Sequence, residues 1–282
     1  MNKDMINEQF GIHNNVIVDT DYTYKELESI YHDYLALREE LDALALVVVD
    51  FIRELDLVHS VRFRTKDPDH LIEKIIRKNR SNRDYHPTVD NYRELVTDLI
   101  GIRVLHLFKE DWSSIHNFII DEWLLMDQVV ANIREGDTET VVEGYKDSDC
   151  LIKVHPAGYR SVHYLIKIET EDEIFVAEVQ VRTIFEEAWS EIDHTVRYPY
   201  AMENEILSEY LNIFNRLVGS ADEMGSFIKR LNDEISEIKD RHEVEIAEKN
   251  AIIEDLSRTV AKLEIDVSKK LDLEDKLKRL ND

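Results

Sequence analysis

Cysteine is nearly absent: Cys150 is the only one in 282 residues. A lone thiol cannot close an internal disulfide or build a Cys-rich zinc site, and a reducing cytosol would disfavour an intermolecular bridge. Cys150 therefore reads as a packing residue. Basic charge is scarce too, with 35 Lys and Arg against 60 Asp and Glu and a net charge of −25. A chain that repels phosphate backbones overall is a poor non-specific nucleic-acid binder. No apolar run reaches the roughly 18 residues that a spanning helix needs. The opening stretch from Met1 to Phe10 also lacks the basic-then-apolar order of a signal peptide. The expectation is a cytoplasmic protein with no membrane partner. At 43% hydrophobic and 34% charged residues, it should fold as one or two domains with a real core.

Against this acidic background one window is basic. Between Ser60 and Arg83 stand eight Lys or Arg (Arg62, Arg64, Lys66, Lys74, Arg77, Lys78, Arg80, Arg83) and three acids. Such a patch suits a small polyanion such as a nucleoside triphosphate. From His59 to Lys66, Val61 and Phe63 alternate with Arg62, Arg64 and Lys66, the pattern of a strand with one apolar and one basic face. Asp67-Pro68 then caps and starts a helix to about Arg80. Upstream, spacing of three and four from Tyr22 to Leu57 predicts an amphipathic helix, with Asp19-Thr20-Asp21 as cap candidates. Further strands are predicted at Gly101 to Phe108, Ser161 to Glu169 and Glu173 to Arg182, with a weaker one near Leu124 to Asn132. The stretch from Thr170 to Asp172 should form a hairpin, although it lacks the favoured Asn-Gly chemistry. Helices are expected at Asp90 to Thr97, Asp111 to Glu122 and Thr183 to Arg197. The fold class is α+β: a mixed sheet over residues 58–200, flanked by helices. Beyond Glu203 a heptad seam runs through Ile228, Leu231, Ile235, Ile238 and His242, then Ile253, Leu256, Val260, Leu263 and Val267, with Gly219 and Gly225 marking a possible bend. Residues 1–57 are thus an N-terminal helical segment and 201–282 a helical or coiled-coil region.

Four clusters carry chemically useful groups. In Thr97-Asp98-Leu99-Ile100-Gly101-Ile102-Arg103 a carboxylate leads into a strand with an arginine five positions on; alone, such an acid is more often a cap or a surface residue. In Gly158-Tyr159-Arg160-Ser161-Val162-His163 the glycine permits close approach, the tyrosine offers a ring for stacking, and arginine and histidine can donate to phosphate. A simple strand-entry turn would look the same. Glu178-Val179-Gln180-Val181-Arg182-Thr183 puts three polar residues on one strand face, which need only be a solvated face. The fourth cluster is Trp189, Glu191, Asp193 and His194 on a helix ending near Tyr198-Pro199, where His194 and Tyr198 form a potential structural pair.

In this order, behind the basic strand and helix, the clusters resemble the synthetase domain of the RelA/SpoT alarmone synthetases, over about residues 58 to 200. The resemblance implies a nucleotidyltransferase-like fold and an ATP-dependent pyrophosphokinase that moves the β,γ-pyrophosphate of ATP to the 3′-hydroxyl of GDP or GTP. It implies ATP-phosphate contacts from Arg64, Lys66, Lys74, Arg77 and Arg103, and Mg²⁺ held by Asp98 and Glu178. Glu178 would also take the acceptor's proton. Acceptor contacts would come from Tyr159, Arg160, His163, His155, Gln180 and Arg182. Two departures stand out. His155 and Ala157 occupy positions where guanine-using members commonly carry lysine and asparagine, and Lys146-Asp147-Ser148-Asp149 only loosely matches the motif upstream of that loop. The same chemistry on a tRNA 3′ end or an adenine nucleotide is the alternative. A non-catalytic sensor on the same fold is disfavoured by the presence of Asp98 and Glu178. No room is left for a hydrolase domain, and His32-Asp33 reads as a surface pair. The coiled coil makes a homo-oligomer the expected assembly, with a dedicated protein partner second.

Overall fold

In a computed structural model of the chain, residues 20, 22–171, 173–197, 205–262 and 267–279 are described. The chain divides into two compact units, Met1–Gly225 and Ser226–Asp282. The first contains a six-stranded mixed sheet, β1 (Val58–Thr65), β2 (Ile100–His106), β3 (Val130–Ile133), β4 (Leu151–Val154), β5 (Ser161–Glu169) and β6 (Ile174–Thr183), in the spatial order β1-β2-β6-β5-β3-β4. β2 and β6 are parallel and register Gly101 against Glu178, while β1 runs antiparallel to β2 with Arg64 opposite Gly101. Because side chains alternate across a strand, this register gathers Arg64, Glu178 and their period-two neighbours Arg62, Arg103 and Gln180 on one face. Ile102, Val104, Val179 and Val181 are buried on the other.

That apolar face is covered by α1 (Tyr24–Arg53), which buries Leu27, Ile30, Tyr34, Leu37, Leu41, Ala45, Val48 and Ile52 at spacings of three and four. Each buried aliphatic side chain contributes roughly 1.5–3 kcal/mol, so packing rather than propensity holds this helix. Its cap is Thr23, in a reciprocal box with Glu26, rather than the expected Asp19-Thr20-Asp21, of which Asp19 and Asp21 lie outside the described residues. Asp33 is more than a surface residue: it accepts from Tyr92 Oη at 2.7 Å and from Arg93 Nη2 at 3.0 Å, tying α1 to the turn before β2. His32 is exposed.

α2 (Pro68–Ser81) starts as predicted, with Asp67 Oδ1 accepting from the amides of Asp69 and His70. α3 is only Tyr92–Leu95 and α4 is Trp112–Glu122. The β5–β6 hairpin replaces Asn-Gly chemistry with Thr170, whose hydroxyl donates to Glu173 O at 2.8 Å and accepts from Glu173 N at 3.1 Å; Asp172 lies outside the described residues. The weak strand near Leu124 shrinks to β3, preceded by one bridge from Leu125 to Ile166. Two elements had no forecast, α5 (Glu139–Asp147) and β4, both short and mostly exposed. α6 (Ile184–Arg197) begins with a second reciprocal box between Thr183 and Glu186; Tyr198 and Pro199 lie outside the described residues.

α7 (Glu205–Lys262) is continuous through Gly219 and Gly225, so neither glycine ends the helix. Gly219 has another use. A Cβ there would lie 3.1 Å from Arg160 Nη2, and the missing side chain makes room for a guanidinium against the helix. α8 (Val267–Arg279) follows. In the second unit Ile228, Leu231, Ile235 and Ile238 are exposed, as are Leu256 and Val267, while Val260 is buried; Leu263 lies outside the described residues. Among the described residues no helix is long and apolar enough to cross a membrane.

Candidate active site

Two cavities open on the polar face of the sheet, and Glu178 lines both. The first, about 390 Å³, is walled by Arg62, Arg64 and Lys66 from β1 and its end, by Asp98, Gly101 and Arg103 along β2, and by Gln180 from β6. Ser190, Glu191 and His194 close it from α6. The second, about 450 Å³, takes His155, Tyr159 and His163 from the loop and strand after β4, with Asn132, Lys153, Asp127 and Gln128 around them.

Asp98 and Glu178 line the first cavity together, and the charge of Asp98 pushes the Glu178 carboxyl upward. Asp98 itself is clasped by Lys66 Nζ at 2.8 Å and Lys74 Nζ at 2.6 Å. Burial would raise its carboxyl, but the two lysines outweigh burial and hold it below the usual range. Glu178 behaves alike. Burial raises it, but the His163 ring at 3.1 Å and the Gln180 amide at 3.0 Å outweigh burial, and the net direction is down. Both groups are therefore ionised at neutral pH.

A divalent cation needs hard oxygen donors. Asp98 Oδ1 is buried and, with Lys74 Nζ close by, still receives no well-directed hydrogen bond. Two carboxylates lining one cavity, Asp98 and Glu178, supply such donors, although Lys66 and Lys74 occupy the oxygens of Asp98. No cluster of three or more His, Cys, Asp or Glu suited to a metal exists among the described residues, so phosphate oxygens or water would have to complete the coordination.

The remaining predicted residues separate into those that reach the cavities and those held elsewhere. Arg64, Lys66 and Arg103 line the first cavity, although Arg103 is also engaged by Glu187 at 3.0 Å and by Glu191. Lys74 stands behind Asp98, and Arg77 is exposed and outside the cavity wall. Gln180, assigned to the acceptor, lines the first cavity instead. Tyr159, His163 and His155 do line the second. Tyr159 Oη sits 3.0 Å from His163 Nε2, which continues to Glu178 through Nδ1. Arg182 is buried, pairs with Glu187 at 3.1 Å and places its guanidinium 5.3 Å from the Tyr159 ring centre, a cation–π contact that braces the ring.

Arg160 corrects the expectation outright. It is 7% exposed, its fork is engaged by Asp137 at 2.6 and 2.9 Å, and it lines neither cavity. An arginine buried in a bidentate pair is not available to an incoming phosphate. Arg62, which period two places on the basic strand face but which carried no assigned role, also lines the first cavity. Asn132 and Lys153 were missed because β3 and β4 are four residues each, too short to show alternation.

A mixed sheet with a basic cavity and a ring-lined cavity meeting at one carboxylate defines a nucleotide-handling enzyme of the alarmone-synthetase fold. The profile described as a region found in RelA / SpoT proteins matches residues 63–203, and the chain belongs to the RelA/SpoT family; it is a transferase. It is 25% identical to GTP pyrophosphokinase YwaC of Bacillus subtilis (strain 168) over 182 residues, 61% of this chain and 76% of that one. Small alarmone synthetase 1 from Bacillus subtilis, solved bound to its product pppGpp, superposes with a TM-score of 0.50 at 20% identity, covering 70% of this chain and 92% of that one. A GTP pyrophosphokinase family protein from Streptococcus pneumoniae gives 0.50 at 21%, covering 77% and 97%. At these identities the two superpositions establish likeness of fold.

Proposed function

We propose that the chain transfers the β,γ-pyrophosphate of ATP to the 3′-hydroxyl of GDP or GTP, making (p)ppGpp. The observation that carries this reading is Glu178 standing in the wall between a basic cavity and a tyrosine-lined one. ATP occupies the first, its phosphates facing Arg64, Lys66 and Arg103, with Lys74 and Arg77 adding positive charge behind. The acceptor occupies the second, its base on Tyr159 and its phosphates near His163 and His155. Glu178 takes the proton of the 3′-hydroxyl. The oxygen then bonds to the β-phosphorus as the bond from that phosphorus to the bridging oxygen of AMP breaks, and AMP leaves with the electron pair. A carboxylate held low in pKa is a weak base, so orientation and charge neutralisation supply most of the acceleration. Mg²⁺ on Asp98 and Glu178 would neutralise charge on the transferred group. Lys66, which lines the cavity, would contact phosphate directly, while Lys74 holds Asp98.

The test is incubation of the full chain with Mg²⁺, labelled ATP and a mixture of GDP, GTP, adenine nucleotides and tRNA. Label appearing on GDP or GTP is the expected result, and no transfer to any guanine nucleotide overturns the reading. His155 and Ala157 support a second reading, because a missing asparagine removes base-edge hydrogen bonds that discriminate strongly. Label on tRNA or on an adenosine polyphosphate would select it. The chemistry is assigned to residues 58–200, between a helical segment 1–57 and a helical region 201–282. A homo-oligomer built through that last region is supported by the exposed Ile228, Leu231, Ile235 and Ile238. Leu231→Glu in the full chain should lower the mass by light scattering.

A further inference from the structure

α7 docks on the catalytic unit through one face, Leu211, Asn215, Val218, Gly219 and Asp222, of which all but the glycine are 8% exposed or less. Leu211 O accepts from Trp189 Nε1 of α6 at 3.2 Å, and Asp222 meets Lys109 at 3.5 Å. Between them Asn215, 3% exposed, faces the turn that leads into Tyr159. Its amide donates to Gly158 O at 2.9 Å, and its oxygen accepts from Arg160 Nη1 at 3.3 Å and Arg134 Nη1 at 3.4 Å. Gly158 has φ of +74°, a conformation that suits glycine, and a Cβ there would lie 3.0 Å from Asn215 Nδ2. The turn has its own closure, Gly158 N donating to His155 O at 2.9 Å, and Asn215 pins its outer side from α7.

We propose that Asn215 is a positioning residue of the acceptor site, setting the Gly158–Tyr159 turn and with it the ring on which the acceptor base stacks. The inference rests on the proposed function, in which Tyr159 carries that base. The path is short: Asn215 fixes Gly158, the next residue is Tyr159, and the Tyr159 hydroxyl meets His163, which meets Glu178. Apart from Glu178, which lines both cavities, none of these links borders the basic cavity, so the acceptor should feel a change at Asn215 more strongly than ATP.

Asn215→Asp separates positioning from plain stability. It keeps size and strengthens acceptance from Arg134 and Arg160, while a carboxylate oxygen now faces Gly158 O where a donor stood. The expected result is an acceptor KM raised about 3- to 10-fold, the worth of one neutral hydrogen bond. KM for ATP should stay within about twofold, a change too small to represent a lost hydrogen bond. Equilibrium binding of GDP, measured without ATP, should weaken in step while the melting temperature holds. Asn215→Ala should show the same KM split with a lower melting temperature. An Asn215→Asp protein that binds and uses GDP like wild type, or one in which both KM values rise together, overturns the inference and leaves the proposed function standing. Wild type that neither binds GDP nor transfers to it would remove the proposed function, and this inference with it.

Discussion

In the proposed function the site has an ATP half and an acceptor half, and the two are built differently. On the ATP side the working groups sit on or just beside adjacent strands, β1, β2 and β6, and register alone brings Arg64, Gly101 and Glu178 abreast. On the acceptor side Tyr159 rides on a loop between β4 and β5, and that loop is held by distant groups: Asp137 on Arg160, Asn215 on Gly158, Arg182 behind the ring. A strand ladder needs no external prop, whereas a loop carrying a binding ring does. The donor half therefore rests on backbone pairing, with Lys74 on Asp98 and Glu187 on Arg103 as additional supports. The acceptor half is where substrate choice can change with little cost to the fold, and the departures at His155 and Ala157 fall there.

Glu178 belongs to both halves, so Glu178→Gln should have the largest effect. Loss of the proposed base and of one proposed metal-binding charge should lower kcat about 10³-fold, within the range for removing a general base. Initial rates check this, and a variant retaining more than a tenth of the rate would break the comparison at its centre. Next comes Asp137→Ala, which strands the buried Arg160 guanidinium. Removing one partner of a buried pair costs about 3–5 kcal/mol, read as a lower melting temperature. Burial pushes the Asp137 carboxyl up, and Arg160 outweighs that and holds it low. Its contribution to stability is therefore present above the unfolded carboxylate pKa and is lost as pH falls through the lower folded value. In wild type but not in Asp137→Ala, acid should erode that share of the stability. Where the variant still folds, KM for the acceptor should rise and KM for ATP should not. Equal rises would mean that the two halves share a support.

What the sequence disclosed follows the same division. Alternation in Arg62, Arg64 and Lys66, and again in Glu178, Gln180 and Arg182, is a local signal, and β5 falls at the predicted limits because nine residues alternate cleanly. Asp67-Pro68 is equally local, and α2 begins there. Arg160 looked like a phosphate ligand because its neighbours in sequence are Tyr159 and His163, but its partner Asp137 lies 23 residues upstream and Asn215 lies 55 downstream. Such pairing is decided by tertiary proximity, which no local period records. Gly219 misled for a related reason: glycine inside a helix costs about 1 kcal/mol relative to alanine, so it reads as a break, when here a guanidinium occupies the space of its missing Cβ.

The smallest expected effect lies at the far end of the α7 docking face. Asp222 is 1% exposed, and burial first, then the like charge of Glu186, pushes its carboxyl up to about 7 despite Lys109 at 3.5 Å. A carboxyl with a folded pKa above the unfolded one binds a proton in the folded state that the unfolded chain has already released. Between about pH 4 and pH 7 its contribution to stability therefore falls as pH rises, and above that window the loss is complete. Asp222→Asn fixes the neutral form. Its melting temperature relative to wild type should rise from about pH 4 to pH 7 and stand about 2–4 °C higher at pH 8, equivalent to roughly 1 kcal/mol once the forfeited Lys109 pair is discounted. Because Asp222 touches neither cavity, KM for ATP and for the acceptor at pH 8 should stay at wild-type values. An acceptor KM that falls as the docking face is stabilised would instead mean that α7 supports the acceptor loop at more points than Asn215.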